Sequence, residues 1–225
     1  MKISLVTLTV LSALVSGQAF AGASANIGVT SNYMWRGQTQ TDDRAALQAG
    51  LDYSADSGLY VGAWSSNTKF FGLPTGPEVD IYGGYKKELK NGVSYDVGAI
   101  KYTYPDITGG LTEVYAKGGY KGFNAEVDYT VDKEGISTNE NDVYYALGYN
   151  GKLKNDWSYG VKAGRYNVDG GSLSDYSHGQ VSVTKTMKKA GDVTLALDKA
   201  TNGINNLNGD NDLRASVSWK KNFDF

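Results

Sequence analysis

His178 is the single imidazole in this 225-residue chain. Beside Ser177 it invites comparison with hydrolases in which an imidazole takes a hydroxyl proton and so activates the oxygen. Neighbouring residues of a strand point to opposite faces, however, so Ser177 cannot serve as its nucleophile without a bulge. Ser182 and Ser174 would reach it only through a coincidence of the fold. Three acidic stretches, Asp42-Asp43, Asn139-Glu140-Asn141-Asp142 and Asn208-Gly209-Asp210-Asn211-Asp212, offer the hard oxygen donors that Ca²⁺ takes. None has the spacing of an EF-hand, and solvated loop tips account for them better. Gly83-Gly84 and Gly118-Gly119 fall inside strand-like segments rather than at a helix start, so they do not form a phosphate cradle. The chain has no Cys, which excludes a disulfide scaffold, a Cys-based zinc site and a thiol nucleophile. A net charge of −2 without a basic stripe gives no nucleic-acid footprint. The expectation is therefore no catalytic residue, no metal and no cofactor.

What remains is charge in the middle of alternating segments: Arg36, Asp80, Asp96, Glu113, Lys117, Glu126, Asp128, Lys162 and Arg214. Ionised groups there need water or a partner. In a water-filled bore they would line the path and tune its selectivity. Acids outnumber bases in this set, which predicts a weak preference for cations.

The elements that would position these charges are strands. Phe123, Val127, Tyr129 and Val131 alternate with Asn124, Glu126, Asp128 and Thr130, and the same period of two recurs along the chain. Turn signals divide it into twelve strands, at roughly 25–36, 45–54, 58–65, 78–87, 93–104, 112–120, 123–131, 142–150, 157–167, 176–186, 192–199 and 212–225, with ten or fourteen as alternative counts. Long polar connections alternate with short ones such as Lys90-Asn91-Gly92 and Lys121-Gly122, as in transmembrane barrels, whose short turns face the periplasm. This predicts an all-β chain with the fold of a transmembrane antiparallel β-barrel. A soluble periplasmic β-sandwich is the rival that shares the alternation.

Residues 1–21 read as a cleaved secretory leader: Met1-Lys2, an apolar run from Ile3 to Val15, then Gln18-Ala19-Phe20-Ala21. Residues 22–225 form a single barrel domain. Tyr33, Trp35, Trp64, Trp157, Trp219 and Phe223 sit near expected strand ends, where rings settle at a membrane–water interface. The last segment places Leu213, Ala215, Val217, Trp219, Phe223 and Phe225 on one parity, opposite Arg214, Ser216, Ser218 and Lys220. A closing strand that ends in an aromatic, here Phe225, resembles the assembly signal of outer-membrane proteins.

Val29-Thr30-Ser31-Asn32-Tyr33-Met34-Trp35-Arg36-Gly37, with Gln48-Ala49-Gly50-Leu51-Asp52-Tyr53 and Gly58-Leu59-Tyr60-Val61-Gly62-Ala63-Trp64, resembles the TorF family of proteobacterial porins. The resemblance implies an outer-membrane barrel with a channel role, and carries over no substrate and no catalytic residue. The expected function is passive diffusion of small hydrophilic solutes through a narrow polar lumen, which Tyr82, Tyr115, Tyr144 and Tyr166 would partly fill. The alternatives are an outer-membrane hydrolase of lipid or lipopolysaccharide, and a structural or adhesive barrel with a closed lumen. Expected partners are outer-membrane lipids, the barrel-assembly machinery and periplasmic chaperones during biogenesis, and the solutes themselves. A monomer is the default.

Overall fold

In the computed structural model, residues 22–70, 73–106, 109–134, 141–169, 175–201 and 212–225 are described. The leader expected at residues 1–21 lies outside them, as do Ser174, Asn139-Glu140 and residues 208–211.

Alternation along the chain becomes a twelve-strand antiparallel sheet closed on itself. Its strands are β1 (Gly22–Thr30), β4 (Ala46–Ser54), β5 (Leu59–Phe70), β6 (Leu73–Glu88), β7 (Val93–Thr103), β8 (Gly110–Tyr120), β9 (Phe123–Glu134), β10 (Val143–Lys152), β11 (Trp157–Asn167), β12 (Tyr176–Met187), β13 (Gly191–Thr201) and β14 (Arg214–Asp224). Each pairs with the next, and β14 closes on β1 from Thr30↔Ser218 to Ser24↔Asp224. Closure leaves no edge strand with unpaired backbone groups, which is the condition for crossing hydrocarbon with strands. The sandwich alternative is thereby excluded.

The barrel is inverted relative to a soluble protein. Large apolar side chains point outward, with Leu147 69% exposed at mid-strand and Leu51, Ile81, Val161 and Val217 similarly placed. Buried positions are largely polar: Thr30, Ser66, Glu78, Asp80, Glu113, Asp128, Thr130 and Asp198. Water would have to be expelled from the outer surface, not the inner one, so this surface fits a bilayer.

Both chain ends of the barrel and the tight turns gather at one end. The Phe225 amide donates to the Ala23 carbonyl at 3.0 Å. Lys121 (φ 49°) and Gly122 (φ 90°) form a two-residue turn of the kind whose twist matches the flanking strands.

Two differences from the sequence reading matter. The expected connection over 66–77 is mostly strand, because polar groups there extend the ladder. Asn67 Oδ1 accepts from the Leu47 amide at 2.8 Å, and Thr68 donates to the Gly76 carbonyl at 3.0 Å, across a register shift between Asn67 and Lys69. The first strand also stops at Thr30 rather than continuing to 36. The chain after it turns inward and forms a small hairpin of β2 (Met34–Trp35) and β3 (Gln38–Thr39).

Candidate functional site

The inward loop is tied together before it reaches the lumen. Asn32 Nδ2 donates to Asp43 at 2.6 Å, Thr39 Oγ1 donates to Asn32 Oδ1 at 2.6 Å, and the Gln40 amide donates to the Tyr33 carbonyl at 2.7 Å. Arg214 of β14 holds the loop's base through Asp43 at 2.8 Å. At the tip, Arg36 (φ 48°) and Gly37 (φ 78°) are both left-handed, the backbone of a two-residue hairpin turn. Glycine is required at the second position for space as well: a Cβ on Gly37 would stand 2.5 Å from the His178 Cβ. Arginine at the first is sterically disfavoured and must be held by its side chain.

That side chain is held firmly. Arg36 Nη1 and Nη2 donate to Glu113 Oε1 and Oε2 at 2.7 and 2.8 Å, a two-pronged pair, and Nη2 lies 3.1 Å from Asp128 Oδ2. Its guanidinium carbon stands 4.1 Å from the Tyr144 ring centroid, 4.4 Å from Trp35 and 5.3 Å from Tyr166. Side-chain exposures of 7%, 1% and 3% for Arg36, Glu113 and Asp128 put the cluster out of bulk water. Charge-assisted bonds of this geometry are roughly twice as strong as neutral ones, and aromatic faces add cation–π attraction. One rung nearer the turns, Glu126 is shared by Lys117 at 3.4 Å and Lys162 at 3.2 Å.

On the loop side of Arg36 aromatic rings crowd the bore. Trp35 stands edge-on to Tyr102 and Tyr166, Tyr33 stands edge-on to Trp64, and Tyr33 donates to Glu78 at 3.1 Å. A cavity of about 1600 Å³ runs from turn residues such as Gly58, Lys90 and Lys188 past Arg36 to Thr30, Trp64 and Tyr102. Among the described residues, the barrel holds a vestibule at the turn end that a latched hairpin narrows toward the loop end.

The expected lumen residues separate into groups. Arg36, Glu113 and Asp128 meet in one cluster, and Lys117, Glu126 and Lys162 in a second. Asp96 accepts from the Tyr60 hydroxyl at 2.6 Å, and Asp80 is fully buried on the same face as Glu78. Arg214 instead anchors the loop at its base. Among the aromatics, Trp157 and Phe223 are exposed near the turn end, and Trp219 donates from its indole to the Ala190 carbonyl at 2.6 Å. Tyr33, Trp35 and Trp64 are corrected: all three face the interior. Strand parity does not extend past Thr30, so Tyr33 and Trp35 travel with the inward loop, and Trp64 shares the inner face of β5 with Gly62 and Ser66.

His178 stacks on Tyr144 at 5.7 Å, its Nε2 is 2.9 Å from the Tyr144 hydroxyl, and its Nδ1 has no hydrogen-bond partner among the described residues. Ser177 lies on the opposite face, where its hydroxyl accepts from Arg165 at 3.4 Å. Of the acidic stretches, Asp42, Asp43 and Asp212 are exposed as expected, and Asp142 is not. Asp142 is buried and accepts from Lys133 at 2.6 Å and from the Tyr166 hydroxyl at 2.9 Å. Among the described residues, no group of three or more His or acidic side chains is placed to hold a metal ion. Sequence reasoning missed the plug itself. The one signal was Trp35-Arg36-Gly37-Gln38, a turn-forming glycine directly after a charged residue that a strand running to 36 would have carried.

The family model described as "Bacterial protein of unknown function (Gcw_chp)" matches residues 16–217. No curated protein matches the sequence. Among solved structures, the KdgM porin superposes with a TM-score of 0.60 at 8% identity, over 90% of this chain and 99% of that one. The same porin in complex with disordered oligogalacturonate gives 0.58 at 7%, with the same coverage of 90% and 99%. The NanC porin gives 0.53 at 12%, covering 90% and 98%. LpxR from Salmonella typhimurium gives 0.50 at 13%, covering 90% and 100%. At these identities the likeness is one of fold.

Proposed function

The chain belongs to the Gcw_chp family of bacterial proteins of unknown function, and we propose that it is an outer-membrane, porin-like channel passing small hydrophilic solutes by diffusion. One observation carries this reading: an apolar outer surface surrounds a polar, charge-lined cavity of about 1600 Å³. Burying ionisable side chains inside a twelve-strand wall has a use if water and solutes pass them. The porin character implied by the TorF resemblance agrees with this reading, as does the fold shared with KdgM and NanC.

Passage is set by the hairpin. Twelve strands enclose a narrower bore than the roughly sixteen of large porins, and the loop from Ser31 to Ala45 occupies its outer half. Release of Arg36 from Glu113 and Asp128 would free the path, so the channel is slow and restricted rather than general. The acids and bases of the bore nearly cancel through pairing, which keeps selectivity weak and slightly cationic. His178 serves as a wall against which Gly37 packs, and no serine hydroxyl bonds it among the described residues. The protein acts as a monomer in lipid, delivered by periplasmic chaperones and the barrel-assembly machinery after loss of residues 1–21.

Planar-bilayer recording of the purified barrel tests the proposal. Small single-channel openings with a modest cation preference are expected. Complete silence, or a clear anion preference, would sink it.

A further inference from the structure

Three tyrosines lie across the inner wall between β4 and β8, each resting on glycine. In the register Tyr60 faces Gly84, Gly84 faces Gly98, and Gly98 faces Tyr115, one rung of four strands with a phenol at each end. The two hydroxyls meet over the glycines and hydrogen-bond each other. A Cβ on Gly98 would lie 2.5 Å from the Tyr115 Oη and 2.7 Å from its Cζ, and one on Gly84 would lie 2.8 Å from the Tyr60 Oη. One rung toward the loops, Tyr82 crosses Gly62 in the same way: a Cβ there would be 2.5 Å from its Cε2 and Cζ. Its hydroxyl donates to Asp52 at 2.6 Å. Only glycine lets these rings lie down, and lying down keeps the vestibule wide. All three rings line the cavity.

The rim of this aromatic wall is polar and carries charges of both signs. Asp52 and Asp96 accept from tyrosine hydroxyls, and Lys117 is paired with Glu126. The Lys86 and Lys117 ammonium groups stand 5.1 and 4.5 Å from the centroids of Tyr60 and Tyr115, donors over the rings. Gln48 and Asn26 line the cavity beside them. The wall therefore offers aromatic rings set among donors and acceptors, with charges of both signs rather than a row of one. A hydrocarbon would strand those polar groups. A polyanion would lie against the Asp52 and Asp96 carboxylates of the same wall. The matching ligand carries a C–H face to lie on an aromatic ring and a rim of hydroxyls to meet the side chains.

We propose that the β4–β8 wall is a binding track for neutral saccharides, which makes them the solute class of the channel. As transport this rests on the channel reading; as binding it needs only the vestibule.

Isothermal titration of the purified full-length barrel with maltotriose, a galacturonic acid trimer and a polyethylene glycol of similar size tests it, alongside ion-current recording. Maltotriose should bind more tightly than the acid trimer, and the glycol should not bind. Tyr115→Ala removes one ring, and Gly62→Ala, whose Cβ would press on the Tyr82 ring and the Asp52 carboxylate, lifts a second off the wall, so each should weaken maltotriose binding about tenfold. Heat-modifiable gel mobility identifies folded material, and Tyr82→Ala substitutes for either variant that fails to fold. No maltotriose binding by folded protein, tighter binding of the acid trimer, or indifference to the folded variants overturns the track. Ion current without saccharide binding defeats the track alone. Binding without any current defeats the channel alone.

Discussion

Replacing Arg36 by alanine is expected to destabilise the barrel by about 3–5 kcal/mol, the scale on which a buried charge left without its partner is penalised. The substitution strands two carboxylates, Glu113 and Asp128, both almost fully out of solvent. It also removes the side chain that bridges the hairpin tip to β8 and β9, and empties the space between Trp35, Tyr144 and Tyr166. The loop should then leave the wall, so single-channel conductance should rise while the urea midpoint falls. Arg36→Lys keeps the charge but loses the two-pronged geometry, and should fall between wild type and alanine on both scales. An alanine variant with unchanged midpoint and unchanged conductance would show that the hairpin is held by something other than this cluster.

The second large effect concerns the outer surface. Val161 is 50% exposed in the middle of β11, while Lys162, the next residue, points inward to Glu126. Val161→Lys should therefore cost about 2–4 kcal/mol, the depth-dependent penalty for a lysine on the lipid face of a barrel near the midplane. The chain itself already carries a lysine one position away, so residue type is constant and only the face changes. Urea unfolding in lipid vesicles reads the difference. Equal stability of Val161→Lys and wild type would mean that this face does not meet hydrocarbon.

These two positions also show what was legible in the chain. Val161 and Lys162 obey the period of two, and from β4 to β14 that rule gives the twelve strands and most of their faces, Trp64 on β5 being the exception. The period is a local property of extended backbone, so it survives without knowledge of partners. Arg36 does not obey it. Its position depends on where β1 stops, and β1 stops because the loop finds Glu78, Glu113 and Asp128 across the barrel, on strands far away in sequence. Tyr33 and Trp35 look like an interface pair for the same reason: their parity continues that of Val29 by eye but not in space. Trp64 is a different failure. Its ring has the chemistry of an interface residue, but its parity with Gly62 and Ser66 puts it on the inner face, where it pairs with Tyr33. The rung joining Tyr60 to Tyr115 through two glycines was equally hidden, because glycine's meaning there lies in what rests on it from another strand.

The most direct test of a water-filled lumen inside a lipid-facing wall uses the absence of cysteine from the chain. Single cysteines at Ser218, which lines the cavity, and at Val217, which faces outward, differ by one residue and by face. In lipid vesicles a charged, water-soluble thiol reagent should modify Ser218→Cys readily and leave Val217→Cys unmodified until the protein is denatured. Reaction at Val217→Cys with Ser218→Cys protected would contradict the account.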